Sequence, residues 1–186
     1  WLLTKGSGVQ IPLDPLIFMT KNKVILYIAT SLDGYIATKD GSVDWLDKYN
    51  KIGFDYGYEK FYKSVNSVIV GNTTYKQFPQ EHKGKECFVF SRTPQENKEG
   101  ITFFNGTSKS FMEKFDLAGK TWLLGGANLL SQFLKDDLVD EFIITIMPEL
   151  LGEGILLFNE HPPIEKLTLV EAKPYGSVIQ LHYKKC

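Results

Sequence analysis

Three short segments carry the residue types that a nucleotide site needs. Gly71-Asn72-Thr73-Thr74 and Gly125-Gly126-Ala127-Asn128 each follow an apolar run and precede a helical pattern, and Ser91-Arg92-Thr93 follows a third apolar run. A helix N-terminus presents N–H groups without intrahelical partners and a partial positive charge, which suits phosphate. Glycine lets a backbone approach its ligand closely. The guanidinium of Arg92 offers a planar fork of donors that matches a phosphate. Singly, each glycine is more simply read as a turn residue. Together, at the ends of three apolar runs, these segments are expected to cradle a dinucleotide, with Arg92 on an extra ribose phosphate, which means NADPH. The Gly-x-Gly-x-x-Gly and Gly-x-x-x-x-Gly-Lys-Ser/Thr patterns are absent, which disfavours a standard Rossmann dehydrogenase and a P-loop NTPase.

The acidic residue best placed for catalysis is Asp33, just after the first apolar run; an Asp-Gly turn residue is an equal reading. Asp55 and Glu59 are secondary candidates that read more simply as solvated helix residues. Trp45 is expected to cover a substrate ring or to sit in the core. The three histidines, His82, His161 and His182, are scattered and are expected at the surface or rim. Two cysteines, Cys87 and Cys186, form neither a Cys-x-x-Cys pair nor a Cys/His cluster, so no metal site and no disulfide framework is expected. Net charge is -1 and no basic patch stands out, which speaks against a nucleic-acid partner. No run approaches the roughly 18 apolar residues of a membrane span. A cytoplasmic protein acting on a small molecule is expected.

These segments need a frame. Residues 1–18 show no clean periodicity and read as a cloning remnant or loose arm, with the domain running from Met19 to the end. Val24 to Ala29 is continuously apolar, as a strand covered on both faces must be. Tyr35-Ile36-Ala37 reads as a short extension of it. Phe54, Tyr58, Phe61, Tyr62 and Val65 recur at helical spacing. Further strands are expected at 68–70, 87–90, 101–104, 121–124 and 142–147, with helices after Asn72, after Thr107 or Ser108, and after Gly126. Segments 167–172 and 178–183, joined by Lys173-Pro174-Tyr175-Gly176, read as an antiparallel hairpin. The expectation is an α/β fold in one domain: a mostly parallel central sheet, an antiparallel C-terminal hairpin and helices on both faces.

Four motifs in this order resemble those of a known superfamily. Ala29-Thr30-Ser31-Leu32-Asp33-Gly34-Tyr35-Ile36-Ala37 is similar to a Ser-Leu-Asp-Gly-x-Ile-Ala segment. Val70-Gly71-Asn72-Thr73-Thr74-Tyr75 is similar to a Gly-Arg-x-Thr turn, Leu124-Gly125-Gly126-Ala127 to a paired-glycine turn, and Pro148 to Gly154 to a Pro-x-Leu-Leu-Gly-x-Gly loop. The chain thereby resembles the dihydrofolate-reductase-like superfamily, and within it the C-terminal reductase domain of bacterial bifunctional riboflavin-biosynthesis deaminase/reductases. The resemblance implies NADPH across the Gly71, Ser91 and Gly125 turns, with its nicotinamide near Ala29 and Thr30. It implies a substrate among Asp33, Trp45 and the helix that carries Phe61. Relatives of this kind commonly pair, so a homodimer is expected.

The departures are specific. Asn72 stands where arginine is usual, Gln77-Phe78-Pro79-Gln80 replaces an acidic Asp-Asp-Pro element, and no deaminase motif is present. The resemblance implies an NADPH-dependent reductase of a small heterocycle, similar to 5-amino-6-(5-phosphoribosylamino)uracil reductase. Dihydrofolate reductase and a non-enzymatic nucleotide-binding protein on the same scaffold are the alternatives.

Overall fold

The computed structural model describes residues 22–50, 53–79, 82, 84–158 and 166–186. The proposed arm, residues 1–18, lies outside them. Eight strands form one sheet in the order β5-β4-β3-β6-β1-β7-β10-β9. These are β1 (Lys23–Ser31), β3 (Ser67–Gly71), β4 (Glu86–Phe90), β5 (Ile101–Phe104), β6 (Lys120–Gly125), β7 (Glu141–Met147), β9 (Leu167–Tyr175) and β10 (Val178–Lys185). All neighbours from β5 to β7 pair in parallel, and β10 and β9 close the edge antiparallel. This is the dihydrofolate-reductase-like α/β fold.

The continuous apolar runs follow from burial on both faces. Along β1, Val24, Leu26 and Ile28 face one core with Ile69, Phe88 and Leu123. Ile25 and Tyr27 face the other with Val68 and Trp122. Helices α4 (Ser108–Lys114) and α5 (Ala127–Lys135) cover the first face. In α5, Leu129, Leu130, Phe133 and Leu134 are all buried, the stripe expected of a helix laid on a sheet. Phe133 is fully buried, and truncating such a residue to alanine costs about 3–5 kcal/mol. Thr107 and Ser110 form a reciprocal capping box that starts α4. Helices α2 (Tyr58–Ser64) and α3 (Asn72–Gln77) cover the opposite face, through Phe61 and Tyr75. A 3-10 turn (Asp44–Leu46) leads into α1 (Asp47–Asn50).

Three elements differ from the reading of the sequence. Tyr35–Ala37 does not extend β1; as β2 it pairs with β8 (Ile155–Leu156) in a separate two-stranded sheet. The helix expected from residue 54 begins at Tyr58. Gly57 is its N-cap at a left-handed φ of 77°, and the Asp55 carboxylate accepts the N–H groups of Gly57 (2.9 Å) and Glu59 (3.2 Å). The hairpin turn is tighter than expected: β9 continues to Tyr175, and only Gly176 and Ser177 lie between the strands.

Candidate active site

The strand order turns three separate sequence segments into one crevice. β4, β3, β6 and β1 are successive parallel neighbours, so Ser91, Gly71, Gly125 and Ser31 stand in a row beyond their carboxyl ends. The chain leaves β3 toward β4 and leaves β6 toward β7, in opposite directions along the sheet. A crevice at such a reversal is where open α/β sheets take their ligands.

The two glycine turns abut. A Cβ on Gly71 would stand 3.6 Å from the Gly125 carbonyl oxygen and 3.7 Å from the Gly126 nitrogen. A Cβ on Gly126 would meet Thr74 Oγ1 at 3.2 Å. Gly125 has φ 107°, a conformation side chains rarely adopt, and the Gly125–Gly126 peptide is cis. Gly126 caps α5 with no side chain of its own, leaving the helix start open on that side. Asn72 Oδ1 is buried without a hydrogen-bond partner in this crevice, an acceptor that a bound donor would satisfy. A glycine-lined cradle, a bare helix start and an orphaned acceptor fit a dinucleotide. At the far end, the Ser91 hydroxyl donates to the Thr93 carbonyl oxygen (2.7 Å) and accepts from the Thr93 N–H, fixing the loop that presents Arg92 to solvent.

Below the crevice, on the α2 and α3 face, lie two adjoining cavities that share Tyr27 and Tyr58. The first, about 260 Å³, is lined by Tyr27, Ile28, Tyr58, Val70, Thr74, Tyr75, Phe78, His82, Trp122 and Leu124. Val70 and Leu124 are the residues immediately before Gly71 and Gly125, so this cavity opens against the cradle. The second, about 290 Å³, is lined by Tyr27, Ala29, Leu46, Phe54, Asp55, Tyr56, Tyr58, Thr145 and Met147. Trp122 is held edge-on to Tyr27, Tyr58 and His82 at centroid distances of 6.4, 5.9 and 6.1 Å. The Tyr27 hydroxyl donates to the Tyr56 carbonyl oxygen (2.9 Å), and burial pushes its pKa up to about 12. Gln180 Nε2 reaches from β10 to the Tyr56 carbonyl oxygen and Thr145 Oγ1, both at 2.9 Å. Backbone N–H groups of Gly57 and Glu59 hold the Asp55 carboxyl below its ordinary value, so it lines the second cavity as an anion.

The other sequence candidates separate. Asp33 accepts the Ser31 hydroxyl (2.6 Å) and the N–H groups of Leu151 (3.2 Å) and Gly152 (2.8 Å). These bonds, that of Ser31 foremost, lower its pKa. It has no proton to give at neutral pH, and its carboxylate ties the loop after β1 to the loop after β7. Phe61 lies behind the cavity wall, stacked on Tyr27 at 4.3 Å, so it reaches a substrate only through that ring. Trp45 packs with Tyr49, Met147 and Val178, and its neighbour Leu46 takes the place on the cavity wall. Ala29, expected beside the cofactor, lines the second cavity. The sequence reading missed Tyr27, Tyr58, Gln180 and His82. Tyr27 was visible as the polar-tipped residue within an apolar run. His82 carries no local signal and was read as a rim histidine.

The remaining observations are likenesses to known proteins. Residues 118–181 match the RibD C-terminal domain. The Bacillus subtilis protein YwjB, itself uncharacterised, is 42% identical over 173 residues, which span 88% of this chain and 98% of YwjB. A Shewanella sp. PV-4 protein ascribed to riboflavin biosynthesis superposes with TM-score 0.79 at 29% identity, over 88% of this chain and 99% of that one. The Thermotoga maritima diaminohydroxyphosphoribosylaminopyrimidine deaminase/5-amino-6-(5-phosphoribosylamino)uracil reductase superposes with TM-score 0.71 at 15% identity, over 89% of this chain and 57% of that one. Dihydrofolate reductase from Enterococcus faecalis gives TM-score 0.65 at 12% identity, over 88% and 96%. At these last two identities the likeness is one of fold.

Proposed function

Because this chain belongs to the RibD C-terminal domain family, we propose that it is an NADPH-dependent reductase of a small planar heterocycle, akin to 5-amino-6-(5-phosphoribosylamino)uracil reductase. The family is one of NADPH-dependent reductases. The observation that carries the reading is the first cavity, whose wall residues Val70 and Leu124 run directly into the glycine cradle. A ring seated in this cavity, against the wall that Tyr58 and Trp122 form, borders the place where the cofactor's reactive end belongs. When bound, the dinucleotide supplies the hydride. The chain's own residues do the rest. Gly71, Gly125 and Gly126 admit the cofactor backbone, Arg92 pairs with its ribose phosphate, and Tyr27 and Trp122 orient the substrate ring.

The test is NADPH oxidation across a panel of pterins and ribosylaminopyrimidines, with and without phosphate. Turnover of a pyrimidine is expected. Cofactor binding with no oxidation of any panel member would favour the non-enzymatic alternative.

Dihydrofolate is expected to be a poor substrate. Gly57, four residues before Phe61, offers no carboxylate, and Asp55 already spends both oxygens on the start of α2. Turnover near 10 s⁻¹, about the enzyme median, would instead make Asp55 a pterin-binding group.

A further inference from the structure

We propose that His82 is the proton donor of the first cavity, giving the proton from Nε2 to the nitrogen of the carbon–nitrogen double bond that is reduced in the bound substrate. The proposal rests on the reductase reading above. Reduction of a carbon–nitrogen double bond needs two partners. The carbon gains the hydride that the dinucleotide supplies when bound, and the adjacent nitrogen gains a proton. The Nε2–H bond breaks, an N–H bond forms on the substrate, and water returns a proton to the imidazole.

Geometry singles out His82 among the described residues. It lines the cavity that opens against the cradle. The Tyr62 hydroxyl stands 3.4 Å from Nδ1, which leaves Nε2 as the nitrogen for a ligand. Its ring is fixed edge-on to Trp122 at 6.1 Å and tilted against Tyr62 at 6.0 Å. The Lys85 N–H donates to the His82 carbonyl oxygen at 3.0 Å and so anchors its backbone.

The other polar groups on this wall are worse acids at neutral pH. The Tyr27 hydroxyl is spent on the Tyr56 carbonyl and is pushed up to about 12 by burial; burial raises Tyr58 too. Thr74 bears an aliphatic hydroxyl that does not change charge near neutrality. Histidine alone among ordinary side chains titrates there.

The surroundings set the sign of the pH effect. Tyr62 and Tyr58 from α2, Tyr75 from α3, Tyr27 from β1, Trp122 from β6 and Lys85 face or flank the imidazole; Glu81 and Lys83 neighbour it in sequence. Lys85 Nζ stands 4.5 Å over the Tyr62 ring and donates to the Val65 carbonyl at 2.6 Å. Burial, and then the Lys85 charge, lower the His82 pKa. The protonated donor is therefore present below that lowered value and lost as pH rises through it.

The test pairs kinetics with a readout that needs no turnover. On the panel member that supports the fastest NADPH oxidation, wild-type kcat/KM is expected to rise as pH falls and to level off below the His82 pKa. His82→Gln is expected to lose about 10²–10⁴-fold at the plateau, the usual share of a general acid, and with it the alkaline limb, the fall in rate as pH rises through the His82 pKa. In histidine-labelled wild-type protein, His82→Gln assigns the ring resonance. That resonance is expected to titrate at the pH of the kinetic limb and to shift when the same heterocycle binds without NADPH. A variant that keeps wild-type rate and pH profile, or a resonance indifferent to the heterocycle, overturns the proposal while the reductase reading stands. Absence of NADPH oxidation by wild type at every pH overturns both.

Discussion

At the scale of single residues, the crevice depends on what two positions lack and on what one position adds. A Cβ on Gly126 would press on Thr74 Oγ1 at 3.2 Å, a contact tighter than most. Gly126→Val is expected to abolish NADPH binding while circular dichroism stays that of a folded protein; normal binding by the folded variant would reduce the paired glycines to a turn. Arg92 stands exposed beyond β4, on a loop fixed by Ser91, where an additional ribose phosphate would be read. NADPH is expected to bind more tightly than NADH, and Arg92→Ala to cost about 1.5–3 kcal/mol of that affinity. Calorimetric titration of both cofactors checks this, and equal wild-type affinities would remove Arg92 from the site. The glycines and Arg92 were legible in the sequence because their chemistry is intrinsic to the residue type. The cavity wall was not. Tyr27 shows only as a polar tip within an apolar run, and His82 looks like any surface histidine until the fold brings them around Trp122.

At the scale of elements, local pattern and pairing carry different amounts of information. The six parallel strands were legible because burial on both faces demands unbroken apolar runs such as Val24 to Ala29. The small sheet was not, because β8 has two residues and β2 three, too few to show a period. Its loops are joined by more than strand pairing. The Leu32 N–H donates to the Glu149 carbonyl at 2.7 Å and the Leu157 N–H to the Gly34 carbonyl at 3.0 Å, with Asp33 bridging to Leu151 and Gly152 between them. Asp33→Ala is expected to leave the fold intact and to speed hydrogen exchange at the Leu151 and Gly152 amides. Unchanged protection would mean that the β2–β8 pairing alone holds the two loops together.

At the scale of the whole molecule, one edge of the sheet is left bare among the described residues. From Leu167 to Pro174 every residue of β9 is exposed, Leu169 and Val170 at 50%. The first half of this edge strand, Leu167 to Val170, is largely apolar and invites pairing with another chain, and a second copy is the occupant we expect. Light scattering is expected to give a dimer, and Leu169→Lys combined with Val170→Lys a folded monomer. A wild-type monomer at micromolar concentration would leave this edge without a partner. The strand order has a further consequence, which concerns time. β1 leads the sheet in sequence, yet its partners are β6 and β7, so Val24 pairs with Thr121 and Tyr27 with Ile143. β10, nearly the last residues of the chain, then closes on β7. Contacts between such distant residues must overcome loop closure before they are rewarded, and they slow folding. During synthesis, β1 has neither neighbour until β6 leaves the ribosome. The cradle at the ends of β3 and β6 is therefore assembled only once β6 has been made, and a fragment truncated before Lys120 would carry Arg92 and Gly71 with no crevice between them to serve.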